Sequence, residues 1–267
     1  MTWWERRNRE LVGPELAGER VPPYLIELLE AVEESYLALA TMPGWPDPHA
    51  DPASPYGRRE STEDEYSRCL DPWKYAVVLD RVEAWVSCLV ERGLAEVVEL
   101  GLPIRPAPAD EVGDPDWLLV PHLALGRARR VQPLLAPGLP LVVGSWDATD
   151  DRPAGVLLAA GSPAVPIQDV PDCGCDACDD GSDPLLQVVD ETLLHVLDGS
   201  LRMRVEAGTT SARWSGGGQS STVYGDDRRA RRAVLGPDPH EYAGSPWHPG
   251  WPLRQPQVEV RAERPRE

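Results

Sequence analysis

Residues 130–160 read RVQPLLAPGLPLVVGSWDATDDRPAGVLLAA. Three apolar, partly β-branched runs, Arg130–Leu134, Leu139–Ser145 and Gly155–Ala160, are divided by Pro/Gly and Asp-rich turn segments. Such runs between turn signals read as successive strands. No long helix separates them, and a parallel pair needs a crossover of about a dozen residues, so an antiparallel meander is expected.

Upstream the period changes. Leu25, Leu28, Leu29, Val32, Tyr36 and Leu39 recur at three- and four-residue steps, which predicts a helix from Pro23 to Pro43-Gly44. Pro43, Pro46, Pro48, Pro52 and Pro55 then make a rigid extended connection. Thr62 and Glu65 match a capping box. Asp71-Pro72 opens a second helix to about Gly93, with the stripe Tyr75, Val78, Val82, Trp85 and Leu89. Downstream, Asp183 is placed to cap a helix with Pro184 at its first position and Gly199 at its end. Leu201, Met203 and Val205 alternate with charged residues as a half-buried strand, and further hairpin strands are expected over 211–224. The expected fold class is α+β: N-terminal helices packed on a mostly antiparallel sheet, with a Cys/Asp loop leading into a helix. The expected organisation is an arm or short helix over 1–22, a single domain over 23–250 and a flexible tail over 251–267.

The densest chemistry lies between the meander and the last helix. Cys173, Cys175 and Cys178 fall within six residues, among Asp172, Asp176, Asp179, Asp180 and Asp183. Gly174 lets the backbone of the Cys-x-Cys fold its thiolates toward one point, so the three sulfurs are candidate ligands of a zinc-like ion. A closed zinc site needs a fourth ligand, and Asp172, Asp176, Asp179, His240, His248 or a water is available. A redox dithiol at Cys175 and Cys178 and an inert acidic loop stay open beside the metal reading. The carboxylates push thiol pKa values up, which counts against the dithiol.

Other candidates carry less. His195 lies roughly 16 Å up the helix from Pro184 at 1.5 Å per residue, opposite the apolar arc, and reads as an exposed histidine. Asp190 falls inside that arc and needs a partner, such as Arg202 or Arg204, unless it is a general base in a cleft. Cys69 and Cys88 read as ordinary thiols. No nucleophile and base can be assembled from spacing.

The formal net charge is −18, which repels phosphate backbones and anionic lipid, so neither nucleic acid nor a membrane is expected as a partner. The run Arg228–Arg232 is read as a solvated face. No apolar run of about 18 residues occurs, and the charged N-terminus is unlike a signal peptide, so a reducing cytoplasm is expected.

Pro163-Ala164-Val165-Pro166, the segment Pro171–Ser182 with Leu185, Leu186 and Asp190, the loop Pro43–His49, and Glu65–Arg68 with Lys74-Tyr75 together resemble an uncharacterised family of high-GC, actinobacterial origin, domain of unknown function 6226. The resemblance implies no activity. It does imply that the Pro43–His49 loop belongs to the same unit, which adds His49 to the possible fourth ligands. Three functions are compatible with these residues: a non-enzymatic protein with a structural zinc-like ion, a metal-dependent enzyme with an open coordination position, and an acidic immunity-type protein that binds a basic partner.

Overall fold

The computed structural model describes residues 1–13, 16–101, 125–206, 209–214, 217–222 and 240–254. Among them, α1 (Trp3–Glu10), α2 (Pro23–Leu39) and α3 (Val77–Glu91) precede the strands β1 (Ala95–Glu99), β2 (Arg127–Pro133), β3 (Leu141–Trp146), β4 (Gly155–Ala160) and β5 (Val165–Val170). Helix α4 (Ser182–Leu197) follows, then β6 (Arg202–Glu206), β7 (Thr209–Trp214), β8 (Gly217–Thr222) and β9 (His240–Ala243). The first five strands form one antiparallel meander in chain order, and the last four form a second antiparallel sheet in the order β8-β7-β6-β9. The α+β class is therefore as expected.

The core follows from the two periodicities. The α2 stripe Leu25, Leu28, Leu29, Val32 and Tyr36 is buried, as is the α3 stripe of Val78, Val82, Trp85 and Leu89. Helix α3 sits at the centre, packed on α2 and α4 and reaching β1 and β4. Strand β4 is buried along its whole length. Val156, Leu158 and Ala160 join the main core, while Leu157 and Ala159 point the other way into a smaller cluster with Ala128, Val142 and Trp146. Met203, Val205 and Ala212 carry the second sheet onto the main core.

Three strands lack a sequence signal. β1 and β9 are short and largely exposed. β5 contains Pro166, and the β4–β5 register shifts between Leu158 and Ala159, next to the Ala159–Pro166 pairing. A proline is tolerated there because β5 is an edge strand with an irregularity. Helix α4 also starts two residues earlier than expected. Gly181, at φ 87°, occupies the capping position, and Asp183 is already the second helical residue.

The first helix is docked by its two tryptophans. Thr2 and Glu5 form a capping box, and Trp3 and Trp4 are buried. At the other end, Arg254 pairs with Asp198 at 3.2 Å and donates to the carbonyls of Gly18 and Arg20. Of the tail expected over 251–267, residues 251–254 are held to the fold, Trp251 also stacking on Tyr24 at 5.2 Å, and 255–267 lie outside the described residues, as do the loop 102–116 and the basic run 228–232.

Gly199 closes α4 as expected, at φ 70°, and a Cβ there would lie 2.4 Å from the Ser245 carbonyl carbon. Both the left-handed backbone and the contact forbid a side chain. Gly199→Ala is expected to cost about 2 kcal/mol or more in a urea melt. An unchanged midpoint would show that the 199–246 approach is not rigid.

Candidate metal centre

The Cys loop leaves β5 at Val170 and enters α4 at Ser182. It is held on three sides. A Cβ on Gly174 would lie 2.3 Å from Pro153 Cγ, so the loop presses on the β3–β4 turn. Gly181 is pressed in the same way by the Pro43–His49 loop, where a Cβ would meet Asp47 N at 2.7 Å. The α4 N-terminus bonds that loop directly, Ser182 N donating to Trp45 O at 3.0 Å.

The aspartates are the loop's anchors. Asp176 accepts from Arg68 Nε at 3.0 Å and from Leu70 N at 3.1 Å, while its own N donates to Arg68 O at 2.8 Å. Asp179 is buried and accepts from Trp45 Nε1 at 2.9 Å, from Gly181 N at 2.9 Å and from Lys74 Nζ. Lys74 is the chain's single lysine, and its ammonium also sits 5.0 Å from the Trp45 ring centroid. Burial raises the Asp179 carboxyl pKa, but these donors outweigh it and hold the group below its ordinary value. Asp180 pairs with Arg58, and Ser61 Oγ donates to Ala177 O at 3.2 Å. With Asp176, Asp179 and Asp180 engaged as anchors, the donor atoms that the loop brings together are the sulfurs.

Those sulfurs converge. The Sγ atoms of Cys173, Cys175 and Cys178 all lie within 4.8 Å of one another, and Cys173 and Cys175 are 3.3 Å apart. Thiolates about 2.3 Å from a tetrahedral zinc would stand about 3.8 Å from each other, so the trio is spaced for one ion. All five cysteines are free thiols. Cys175 sits just before a single 3-10 turn, Asp176–Cys178. Its partial burial raises its pKa, yet hydrogen bonds from the Cys173 and Cys178 sulfurs and from the N–H groups of Cys178 and Ala177 bring the net value below that of an ordinary thiol. The expected upward push from carboxylates is overturned at this residue. Cys178 moves the other way, to about 12, because it shares its proton with Cys175 and Cys173. The lowered pKa favours the thiolate at Cys175, which is the form a metal takes.

Among the described residues no histidine, carboxylate or further cysteine joins this group. His49 is buried elsewhere, its Nδ1 3.3 Å from Arg58 and its Nε2 3.8 Å from Glu65. His248 Nδ1 accepts from Gly250 N at 3.0 Å, and His240 lies on β9. Burial raises the Cys69 thiol pKa, with Asp176 adding to it. Cys88 is a core thiol donating to Ala31 O at 3.4 Å.

Two expectations are corrected by the packing. Asp190 is buried and paired, but with neither Arg202 nor Arg204. Arg81 grips it through Nε at 2.8 Å and Nη2 at 2.7 Å, and Trp3 Nε1 and Trp85 Nε1 donate at 2.8 and 2.7 Å. Arg81 also reaches Glu33 at 2.6 Å. A charged residue within the apolar α3 stripe, Arg81 is the sequence signal that matches the anomaly at Asp190. Arg202 instead caps carbonyls of Gly199, Leu201 and Gly244, and Arg204 pairs with Glu206 and Glu241.

His195 is not exposed. Trp214 of the second sheet stacks on it at 5.4 Å between centroids, and Ser200 Oγ lies 3.4 Å from Nδ1. Helical angles place the residue on the correct face; the second sheet covers that face. Burial lowers its pKa to about 3, with Arg254 and Arg7 adding to the effect. The unfolded chain then binds a proton that the native chain refuses between pH ~6.5 and ~3, so native stability falls as pH drops through that window. His195→Phe is expected to flatten this part of the pH–stability curve. An unaltered curve would place the acid sensitivity elsewhere.

Fold and loop together define an α+β protein with a candidate three-thiolate metal centre. The chain belongs to a family of unknown function, DUF6226, whose sequence profile matches residues 32–254. This bears out the family indicated by the Cys-loop motif. No curated protein matches the chain, and no solved structure does. No helix among the described residues is long and apolar enough to cross a membrane.

Proposed function

We propose that the loop binds a zinc-like soft divalent ion through Cys173, Cys175 and Cys178 in a reducing cytoplasm, and that the ion clamps a protein-interaction surface. The observation that carries this is the convergence of three free sulfurs within 4.8 Å. The loop's anchors connect it to residues 58–70 through Arg58, Ser61, Arg68 and Leu70. The same stretch and its flank expose Tyr66, Leu70 and Trp73 at 60%, 74% and 50%. Large apolar side chains left in water beside a rigid loop favour a docking role. The net charge of −18 favours a basic partner.

Three protein ligands are also the number that catalytic zinc sites carry, which favours a second reading with water in the fourth position. Exposed Cys173 and Cys178, with no described histidine or carboxylate joining them, weigh against it.

Cobalt(II) substitution tests the clamp. A thiolate-to-cobalt charge-transfer band of three-sulfur intensity is expected, lost in Cys175→Ser and retained in Cys69→Ser and Cys88→Ser. Hydrogen exchange should rise over 58–70 and 172–181 on metal removal and stay unchanged in β3 and β4. A band that survives Cys175→Ser would move the site elsewhere.

A further inference from the structure

Away from the Cys loop, a cavity of about 170 Å³ opens where α4 meets both sheets. Ile167, Val188, Leu201 and Trp214 give it apolar walls, and His195, Glu191, Gln168 and Thr192 supply its polar groups, the Thr192 hydroxyl donating to Val188 O and Gln168 Nε2 to Asp169 O, each at 2.8 Å. His195 Nδ1 is the ring nitrogen near Ser200 Oγ, and no described residue bonds Nε2. With Nδ1 facing Ser200 Oγ, Nε2 is the ring nitrogen open to a ligand, and a hydroxyl, being both donor and acceptor, can pair with it in either tautomer. The nearby charges are already matched: Arg7 pairs with Glu191 at 2.7 Å and Arg254 with Asp198 at 3.2 Å.

These features select a ligand class. A cavity of about 150 Å³ with apolar walls accommodates one benzene ring. A plain hydrocarbon would leave Nε2 without a partner. A carboxylate would find a neutral imidazole and cations already neutralised. A cation would find no free carboxylate. An aromatic ring with one hydroxyl satisfies the walls, the indole and the nitrogen together.

We propose that this cavity binds a neutral single-ring phenol, its ring packed against Trp214 between Val188 and Leu201 and its hydroxyl bonded to His195 Nε2. The site shares no residue with the Cys loop and stands whether or not a metal binds there.

The test is titration of ¹⁵N-labelled full-length protein with phenol at neutral pH, following the His195 ring nitrogens and the heat of binding. A saturable one-to-one shift of Nε2 is expected, and benzoate should produce none. His195→Phe keeps an aromatic ring against Trp214 and removes the ring nitrogen, so phenol should bind about three- to tenfold more weakly, the value of one neutral hydrogen bond. Val188→Trp, a change at a rim position 36% exposed, should fill the cavity and abolish binding. No saturable Nε2 shift with phenol would overturn the proposal. So would benzoate binding as tightly as phenol, or undiminished binding to Val188→Trp.

Discussion

Asp190→Ala is expected to remove about 3–5 kcal/mol of unfolding free energy in urea, because it breaks a buried ion pair by deleting one partner. The carboxylate is fully buried and accepts four hydrogen bonds, two from Arg81 and one each from Trp3 and Trp85. Removing it leaves a guanidinium that is itself 1% exposed with Glu33 as its remaining partner. Burial disfavours the Arg81 charge, and Asp190 and Glu33 more than restore it, so the pair stands or falls together. Two indole N–H groups also lose their acceptor, at about 1–3 kcal/mol for each buried group left unpaired. Asp190→Asn keeps an acceptor and should fall between wild type and alanine. The network joins α1, α3 and α4, so its loss should release the first helix and expose Trp3 to fluorescence quenchers. A loss below about 1 kcal/mol would mean that the helices are held by their apolar stripes alone.

Chelation is expected to have the second large effect. With free metal about a thousandfold above its dissociation constant, binding stabilises the folded chain by about 4 kcal/mol. For a domain of about 200 residues each kcal/mol moves the melting temperature by about 2–4 °C, so a strong chelator should lower it by about 8–16 °C. Cys175→Ser should melt at the chelated temperature and show no further fall when chelator is added. Equal melting curves with and without chelator, in the wild-type chain, would leave the Cys loop without a stabilising ion.

Much of the fold can be read along the chain because apolar spacing is a local signal. The α2 and α3 stripes and strands β3 and β4 carry it clearly, and the apolar run Gly155–Ala160 coincides with β4 at both ends. β1 and β9 carry little of it, since they are short and largely exposed, and β5 hides behind Pro166. The Cys trio is legible for the same reason as the stripes: its three members lie within six residues. Its anchors are not. Asp176 meets Arg68 and Asp179 meets Lys74 across more than a hundred residues of chain, and spacing says nothing about such pairs. Asp190 announces through its place in an apolar arc that it requires a partner, but only the tertiary packing of α3 on α4 names Arg81. His195 reads as exposed because a helical wheel identifies a face and not what lies over it.

Elemental analysis of the full-length chain, purified under reducing conditions without added metal, tests the three-sulfur centre most directly. About one zinc or comparable soft ion per chain is expected, falling to background when Cys173, Cys175 and Cys178 are all changed to serine. A chain free of stoichiometric metal that also takes up none from micromolar zinc, its three loop thiols still titrating freely with an aromatic disulfide, would contradict it.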